Sequence, residues 1–354
     1  MQAIFFPRKD YDVEICPHRL GKQMTYTEQT DGLNFDVSYS QFMALAKARN
    51  IKVGAFASYY ELNHANINIA QNDKNNGYLW VDEYSLCPSL YDKITHYESP
   101  TEQEFISAYN SELLPNFISV FGKKPVALSY LYGQEGFRNA VCPLYLGARN
   151  SAYNGNTDYG VGYGNPSDKD YSFTRYCSKV GTTRWYDYAK VHGNDFAGSL
   201  SLLSSDIDTT MQNGGWLNNF THWHNYWQDH NEQWAETYLN LLQTKNVNDQ
   251  IYFAGYGEAV AYLVFRQMIT RSVMYSPLRH HNTQLIIRLE TSNTFGVDPD
   301  LLQIPISVKF STIGTPLAGK KITSNCNLIS KGVEDYVVEI PYIGQFPFAV
   351  IKAI

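Results

Sequence analysis

The sequence has no paired-cysteine pattern, no basic stripe and no long apolar run. Its five cysteines (Cys16, Cys87, Cys142, Cys177 and Cys326) are scattered and odd in number, with no CxxC or Cys/His metal spacing, which argues against a disulfide framework. Lys and Arg total 28 against 34 Asp and Glu, giving a net charge of −6 and a pI near 5.8. A nucleic-acid surface needs a basic stripe, so that class of partner is not expected. No run of about 18 apolar residues is present, so no membrane-spanning helix is expected either. The opening residues 1–10 lack a basic n-region, and their apolar stretch is too short for a signal peptide. There is no block of like charge and no internal repeat.

What is present is length and aromatic side chains. At 354 residues with 44% hydrophobic content, the chain can bury a sizeable core, and its length suits one large domain plus a smaller one. It carries 28 tyrosines and 6 tryptophans, and aromatic residues reach 15% beside only 18% charged. Flat rings stack on the apolar faces of pyranoses, which hints at sugar binding. The same rings also fill cores and line strands.

Through residue 270 the sequence alternates strand and helix signals, the pattern of an α/β fold with parallel strands. Strands are expected at 24–27, 51–56, 126–130, 215–222 and 250–254, and helices at 39–50, 232–242 and 258–269. Ser99-Pro100-Thr101-Glu102 reads as a helix start, with Pro115 breaking or kinking the helix and Gly122 ending the segment. Asp229-x-x-Glu232 reads as a second capping box. A polar, Asn-rich stretch covers residues 63–76. Residues 147–172 are rich in Gly, Asn and Tyr without periodicity, and read as a long functional loop. From residue 284 short alternating strands at 285–289, 304–310, 336–340 and 348–351 suggest a small all-β sandwich. The expected division is a barrel domain at 1–271 and a β-sandwich at 272–354.

Four stretches bear chemistry. In Glu28-Gln29-Thr30-Asp31-Gly32 a carboxylate sits on a turn past a strand, with Gly beside it. That suits a metal or catalytic position at the C-terminal edge of a parallel sheet. In Asp92-Lys93-Ile94-Thr95-His96 the two outer residues are four apart, so on a helix Asp92 and His96 face one way and can chelate one ion. The plainer alternative is a surface Asp beside an unrelated His. Ser129-Tyr130-Leu131-Tyr132-Gly133 is a strand followed by Tyr-Gly, either a substrate-contacting wall or an ordinary strand end. In Phe220-Thr221-His222-Trp223-His224 the two histidines share a face if the strand continues, and imidazoles suit proton transfer near neutrality. Structural histidines in an aromatic strand end are the alternative.

In order and spacing these stretches resemble the polysaccharide deacetylase (NodB-homology) family, over roughly residues 24–270. That resemblance implies a distorted (β/α) barrel of about seven strands. It implies a metal-dependent deacetylase or esterase that removes N- or O-acetyl groups from a polysaccharide or oligosaccharide by metal-activated water. Asp31 falls at the family's metal aspartate, His96 at its second metal histidine, and Asp92 where the first histidine should be. An Asp/Asp/His site is oxygen-rich, tilting a divalent-metal set of Zn, Mn, Co or Mg toward Mn or Mg. His222 falls at the general acid, and Tyr130, Tyr132, Trp216 and Trp223 would line the groove. Thr30 stands where the family has its catalytic base, so Glu28, Asp36 or His224 would have to substitute. Loss of a general base costs about 10²–10⁴-fold in rate. Two other functions follow from the same residues: a glycan-binding protein on an impaired deacetylase scaffold, or a (β/α)-barrel glycosidase using Asp31 with Glu258 or Asp206. The resemblance also implies an extracytoplasmic location. The β-rich tail suits a sugar-binding module, a packing partner or a spacer, and its aromatics (Phe295, Phe310, Tyr336, Tyr342, Phe346, Phe348) do not choose among them. Oligomeric state has no signature in the sequence.

Overall fold

The computed structural model describes residues 9–96, 98, 100–130, 138–141, 143–149, 182–183, 185–228, 232–277, 283–293 and 296–354. Two compact units emerge: Gln23–Ala261, and Met1–Lys22 together with Tyr262–Ile354. The strands β1 (Lys9–Tyr11) and β2 (Val13–Ile15) come first in the chain and belong to the smaller unit.

The larger unit is built on β3 (Met24–Asp31), β4 (Val53–Ala57), β5 (Leu79–Tyr84), β6 (Ala127–Ser129), β7 (Gly147–Arg149), β8 (Thr182–Thr183), β9 (Trp216–Phe220) and β10 (Ile251–Ala254). Their order is β7-β6-β5-β4-β3-β9-β8, and every pairing is parallel. One side of β3 is shared. Residues Met24 to Thr27 pair with β10, and Gln29 to Asp31 pair with β4. Helices cover such a sheet on its faces, so its strands are buried throughout rather than alternating. Accordingly β3, β4, β9 and β10 are buried at every residue. This is the expected α/β architecture, a distorted and open (β/α) barrel.

The local signals held with shifted ends. The helix Val37–Ala48 begins at Asp36, whose carboxylate accepts from Ser38 N at 2.8 Å, and it buries Tyr39, Phe42, Met43 and Ala46. The helix Glu102–Ala108 is capped by Thr101, because Thr101 and Glu104 satisfy each other's backbone N–H groups. Pro115 does not end that segment. A π-helical turn, Tyr109–Leu113, leads into Leu114–Phe121, where Pro115 sits in the first turn and its missing N–H leaves nothing unpaired. Gly122, at φ +71°, stops that helix. The Asn-rich stretch contains the helix Ile67–Asn75. Gly147–Arg149, expected to begin a loop, is instead the buried strand β7. Residues 150–172 and Asp229 lie outside the described residues.

The smaller unit adds β11 (Ile269–Ser276), β12 (Gln284–Thr291), β13 (Ile306–Ser311), β14 (Ile322–Ser324), β15 (Asn327–Ser330), β16 (Asp335–Ile340) and β17 (Phe348–Ala353). They form two antiparallel sheets, β1-β11-β12-β17-β14 and β15-β16-β13-β2. Alternate residues Leu285, Ile287 and Leu289 are buried from one sheet, and Val308, Phe310 and Val338 from the other, as in a β-sandwich. The pairing of β1 with β11 and of β2 with β13 had no signal in the sequence. Cys16, Cys87 and Cys326 are free thiols. Among the described residues, no helix is long and apolar enough to cross a membrane.

Candidate functional site

Alternate residues of β3 point to opposite faces of the sheet. Thr27, Gln29 and Asp31 share one face. Thr27 Oγ1 donates to Asn218 Oδ1 at 2.6 Å, and Gln29 Nε2 donates to the same oxygen. Tyr26, Glu28 and Thr30 take the other face, toward Tyr238 of the helix Glu232–Lys245.

Asp31 ends β3 at its C-terminal edge, the edge where parallel α/β sheets present their reactive residues. Its carboxylate accepts from Arg149 Nη2, and the same nitrogen donates to Ser129 Oγ at 2.7 Å. Register explains the meeting: Ser129 and Arg149 are partners across β6 and β7, and Asp31 and Phe56 across β3 and β4. The guanidinium carbon lies 4.1 Å from the Phe220 ring centre and 5.1 Å from that of Phe56. Arg149 is only 1% exposed, and its Nε and Nη1 have no hydrogen-bond acceptor among the described residues.

Beside this pair, Gly32 adopts φ +81°, and a Cβ there would collide with Glu61 Oε1. Glu61 also accepts from Leu33 N at 2.9 Å and Ser58 N at 2.7 Å, closing a capping box with Ser58. Burial raises the Glu61 pKa; the hydrogen bonds from Ser58 and Leu33 oppose the rise, and the charge of Asp31 adds a little to it.

The histidines sit just past β9. That strand ends at Phe220, so strand alternation does not place His222 and His224; His224 instead opens the helix His224–Gln228. Their rings nevertheless lie 5.3 Å apart, with His222 edge-on to Phe220 at 4.7 Å. Asn34 Nδ2 lies 2.9 Å from His224 Nδ1. Burial lowers the pKa of His224, against the opposing charges of Asp36 and Asp187, and so favours the neutral ring at pH 7.

Glu28 is placed elsewhere. It is fully buried on the face opposite Asp31, and accepts from Trp223 Nε1 at 3.0 Å, Tyr238 OH at 2.6 Å and Asn219 Nδ2. Burial pushes its pKa up to about 7 against those three donors. Thr30 lies on that same face, directed away from the Asp31–Arg149 pair.

The metal set expected from the sequence does not come together. Asp92 and His96 are exposed on the turn formed by the helix Tyr91–Thr95, and His96 Nδ1 lies 2.5 Å from the Asp92 carbonyl oxygen. Asp31 already holds a guanidinium. Among the described residues, no three His, Cys, Asp or Glu side chains are grouped to hold a metal ion. The described residues therefore do not fit a divalent metal. The groove aromatics also lie inside: Trp216 donates to Thr27 Oγ1 at 3.1 Å, Trp223 stacks on Phe42 at 4.5 Å, and the buried Tyr130 donates its backbone N–H to the Arg149 carbonyl at 3.0 Å. Tyr132 is outside the described residues. The other glycosidase carboxylates lie on other elements. Glu258 accepts from Lys52 Nζ at 2.8 Å and from Tyr252 OH, while Asp206 lies on the helix Phe196–Gln212.

Arg149, Glu61, Tyr60 and Tyr91 escaped the sequence reading. Tyr60 and Tyr91 follow the C-terminal ends of β4 and β5, are 44% and 45% exposed, and hold their rings 6.0 Å apart. Ser58-x-x-Glu61 carries a capping-box signature that points to Glu61. A lone cation closing the apolar run 144–148 is the trace of Arg149.

No protein-family profile and no curated protein matches this sequence. Among solved structures it is similar to the polysaccharide deacetylase Bc1974 from Bacillus cereus, at 11% identity and TM-score 0.39 over 66% of this chain and 91% of that one. It is also similar to the chitin deacetylase of Colletotrichum lindemuthianum, at 12% identity and TM-score 0.42 over 66% and 89%. An allantoinase matches at 12% identity and TM-score 0.41 over 69% and 92%. At such values the likeness assigns no chemistry, which rests on the side chains described above.

Proposed function

We propose that the larger unit binds a carbohydrate at the C-terminal edge of its parallel sheet, without a metal ion and without appreciable hydrolysis. The observation that carries this reading is the guanidinium of Arg149 seated on Asp31. The Asp31 carboxylate, expected as a metal ligand, is neutralised by a resident cation, and Asp92 and His96 lie exposed on a surface helix turn. The base position holds Thr30, whose hydroxyl cannot take a proton at neutral pH. Two exposed rings lie at the same edge, Tyr60 and Tyr91, set edge-to-face at 77°, and either ring alone has a flat face of the kind that stacks on a pyranose. On this reading the protein works outside the cytoplasm, where such polymers are met.

The test is calorimetric titration with cellulose- and chitin-derived oligosaccharides, beside metal analysis after soaking in zinc or manganese. Binding should be indifferent to a chelator and weakened by replacing Tyr60 and Tyr91 together with Ala. No acetate should be released from acetylated glycans. About one ion per chain, lost in Asp31→Ala and accompanied by acetate release, would overturn the proposal in favour of a metal-dependent deacetylase.

A further inference from the structure

We propose that Arg149 is itself the ligand-binding cation of this site: its Nε and Nη1 donors take an acceptor oxygen of a neutral ligand. This rests on the proposed carbohydrate binding only for the identity of the natural ligand. A guanidinium carries five N–H bonds and no acceptor. Nη2 serves Asp31 and Ser129, which leaves the N–H groups of Nε and Nη1 with no acceptor among the described residues, in a side chain that is 1% exposed. Leaving charged donors buried and unpaired is unfavourable, so the arrangement is complete only when an oxygen meets them. The donors lie at the C-terminal edge of a parallel sheet, where α/β folds bind ligands.

Charge decides which oxygen. Arg149 is already matched by Asp31, and the Glu61 carboxyl lies close enough to Asp31 for their charges to interact. A further carboxylate or phosphate would bring a second uncompensated negative charge into a buried place. A neutral hydroxyl, ether or carbonyl oxygen gains the hydrogen bonds without that penalty. Phe220 and Phe56, both buried, flank the guanidinium and make the surroundings of such an oxygen apolar. The site is thereby set to select neutral over acidic saccharides, by a fixed side chain rather than an exchangeable ion.

The experiment follows the Arg149 Nε–H resonance of ¹⁵N-labelled protein. The signal is assigned by its loss in Arg149→Lys and by its shift in Asp31→Asn, so one variant suffices if the other misfolds. The probes are acetamide, acetate, cellotetraose and an oligogalacturonate. Acetamide and cellotetraose should shift the resonance, with or without a chelator. Acetate and the oligogalacturonate should leave it in place at equal concentration. Arg149→Lys should weaken cellotetraose binding about 10-fold or more, the equivalent of one hydrogen bond from a charged donor. A shift with acetate equal to that with acetamide, or no shift with any probe, would overturn the inference. Cellotetraose binding that leaves the resonance untouched would overturn it while sparing the carbohydrate reading. A shift with acetamide but no saccharide binding would support the donor site and remove the carbohydrate reading.

Discussion

Two eight-residue strands, β3 and β12, are built on opposite rules. In β12 the side chains alternate, with Leu285, Ile287, Leu289 and Thr291 buried and their neighbours half-exposed. In β3 all eight residues are buried, and Thr25, Thr27, Glu28, Gln29, Thr30 and Asp31 among them are polar. A strand of the first kind is specified by area removed from water. A strand of the second kind is specified by partners, because a buried polar group without one is costly. The β12 pattern tells where a strand lies; the β3 pattern tells what its sheet can do.

The sharpest way to break this contrast is Arg149→Met. It leaves the Asp31 carboxylate buried and unpaired, and should destabilise the protein by about 3–5 kcal/mol in urea unfolding. Adding Asp31→Asn should recover much of that loss. Recovery of nothing would mean that Arg149 acts through packing on Phe220 and Phe56 instead.

The next effect in size concerns pH. Burial raises the Glu28 pKa from 4.5 to about 7, so the folded state holds a proton that the unfolded chain has released. Stability contributed by the protonated form is present below pH 4.5. It falls as pH rises toward 7 and is flat above, a total of about 3 kcal/mol. Asp82 and Glu83, raised to about 6 and about 8, fall with overlapping slopes. The difference between wild type and Glu28→Gln isolates the Glu28 share: it should be smallest near pH 4.5 and grow in favour of Gln toward pH 7. A difference independent of pH would remove Glu28 from the account.

In β12 the counterpart is Ile287→Val, which should cost about 1 kcal/mol at every pH between 4 and 8. A pH-dependent loss there would erase the distinction between the strands. Smallest of all, Asp92→Ala and His96→Ala should each stay within about 0.5 kcal/mol, and a chelator should leave their melting temperatures and that of wild type alike. A chelator-induced drop in wild type alone would restore the metal set.

Much of the barrel was legible because parallel strands are short apolar runs between turns: 51–56, 126–130 and 250–254 each enclose or overlap an observed strand. β7 was not, since Gly147 and Ala148 have little strand preference, and with it went Arg149. Asp31 could be singled out as chemically placed, but its partner lies 118 residues away, and no local pattern reports that. The i, i+4 spacing of Asp92 and His96 said nothing of depth; that turn faces water. The alternation that groups Glu28 with Thr30 also sets both opposite Asp31. The two histidines meet through a helix start rather than a strand.

The shared side of β3 has a consequence for how this protein is made. The partner for the first half of the strand, β10, is synthesised more than 200 residues after it. At ~5–20 residues per second, β3 waits roughly 10–45 s before that side can close. During that interval a strand rich in unpaired polar groups stands open. Pairings so distant in sequence are slow to form even in the finished chain. The larger unit is therefore completed from its last strand back to its first, and its vulnerable moment falls during synthesis.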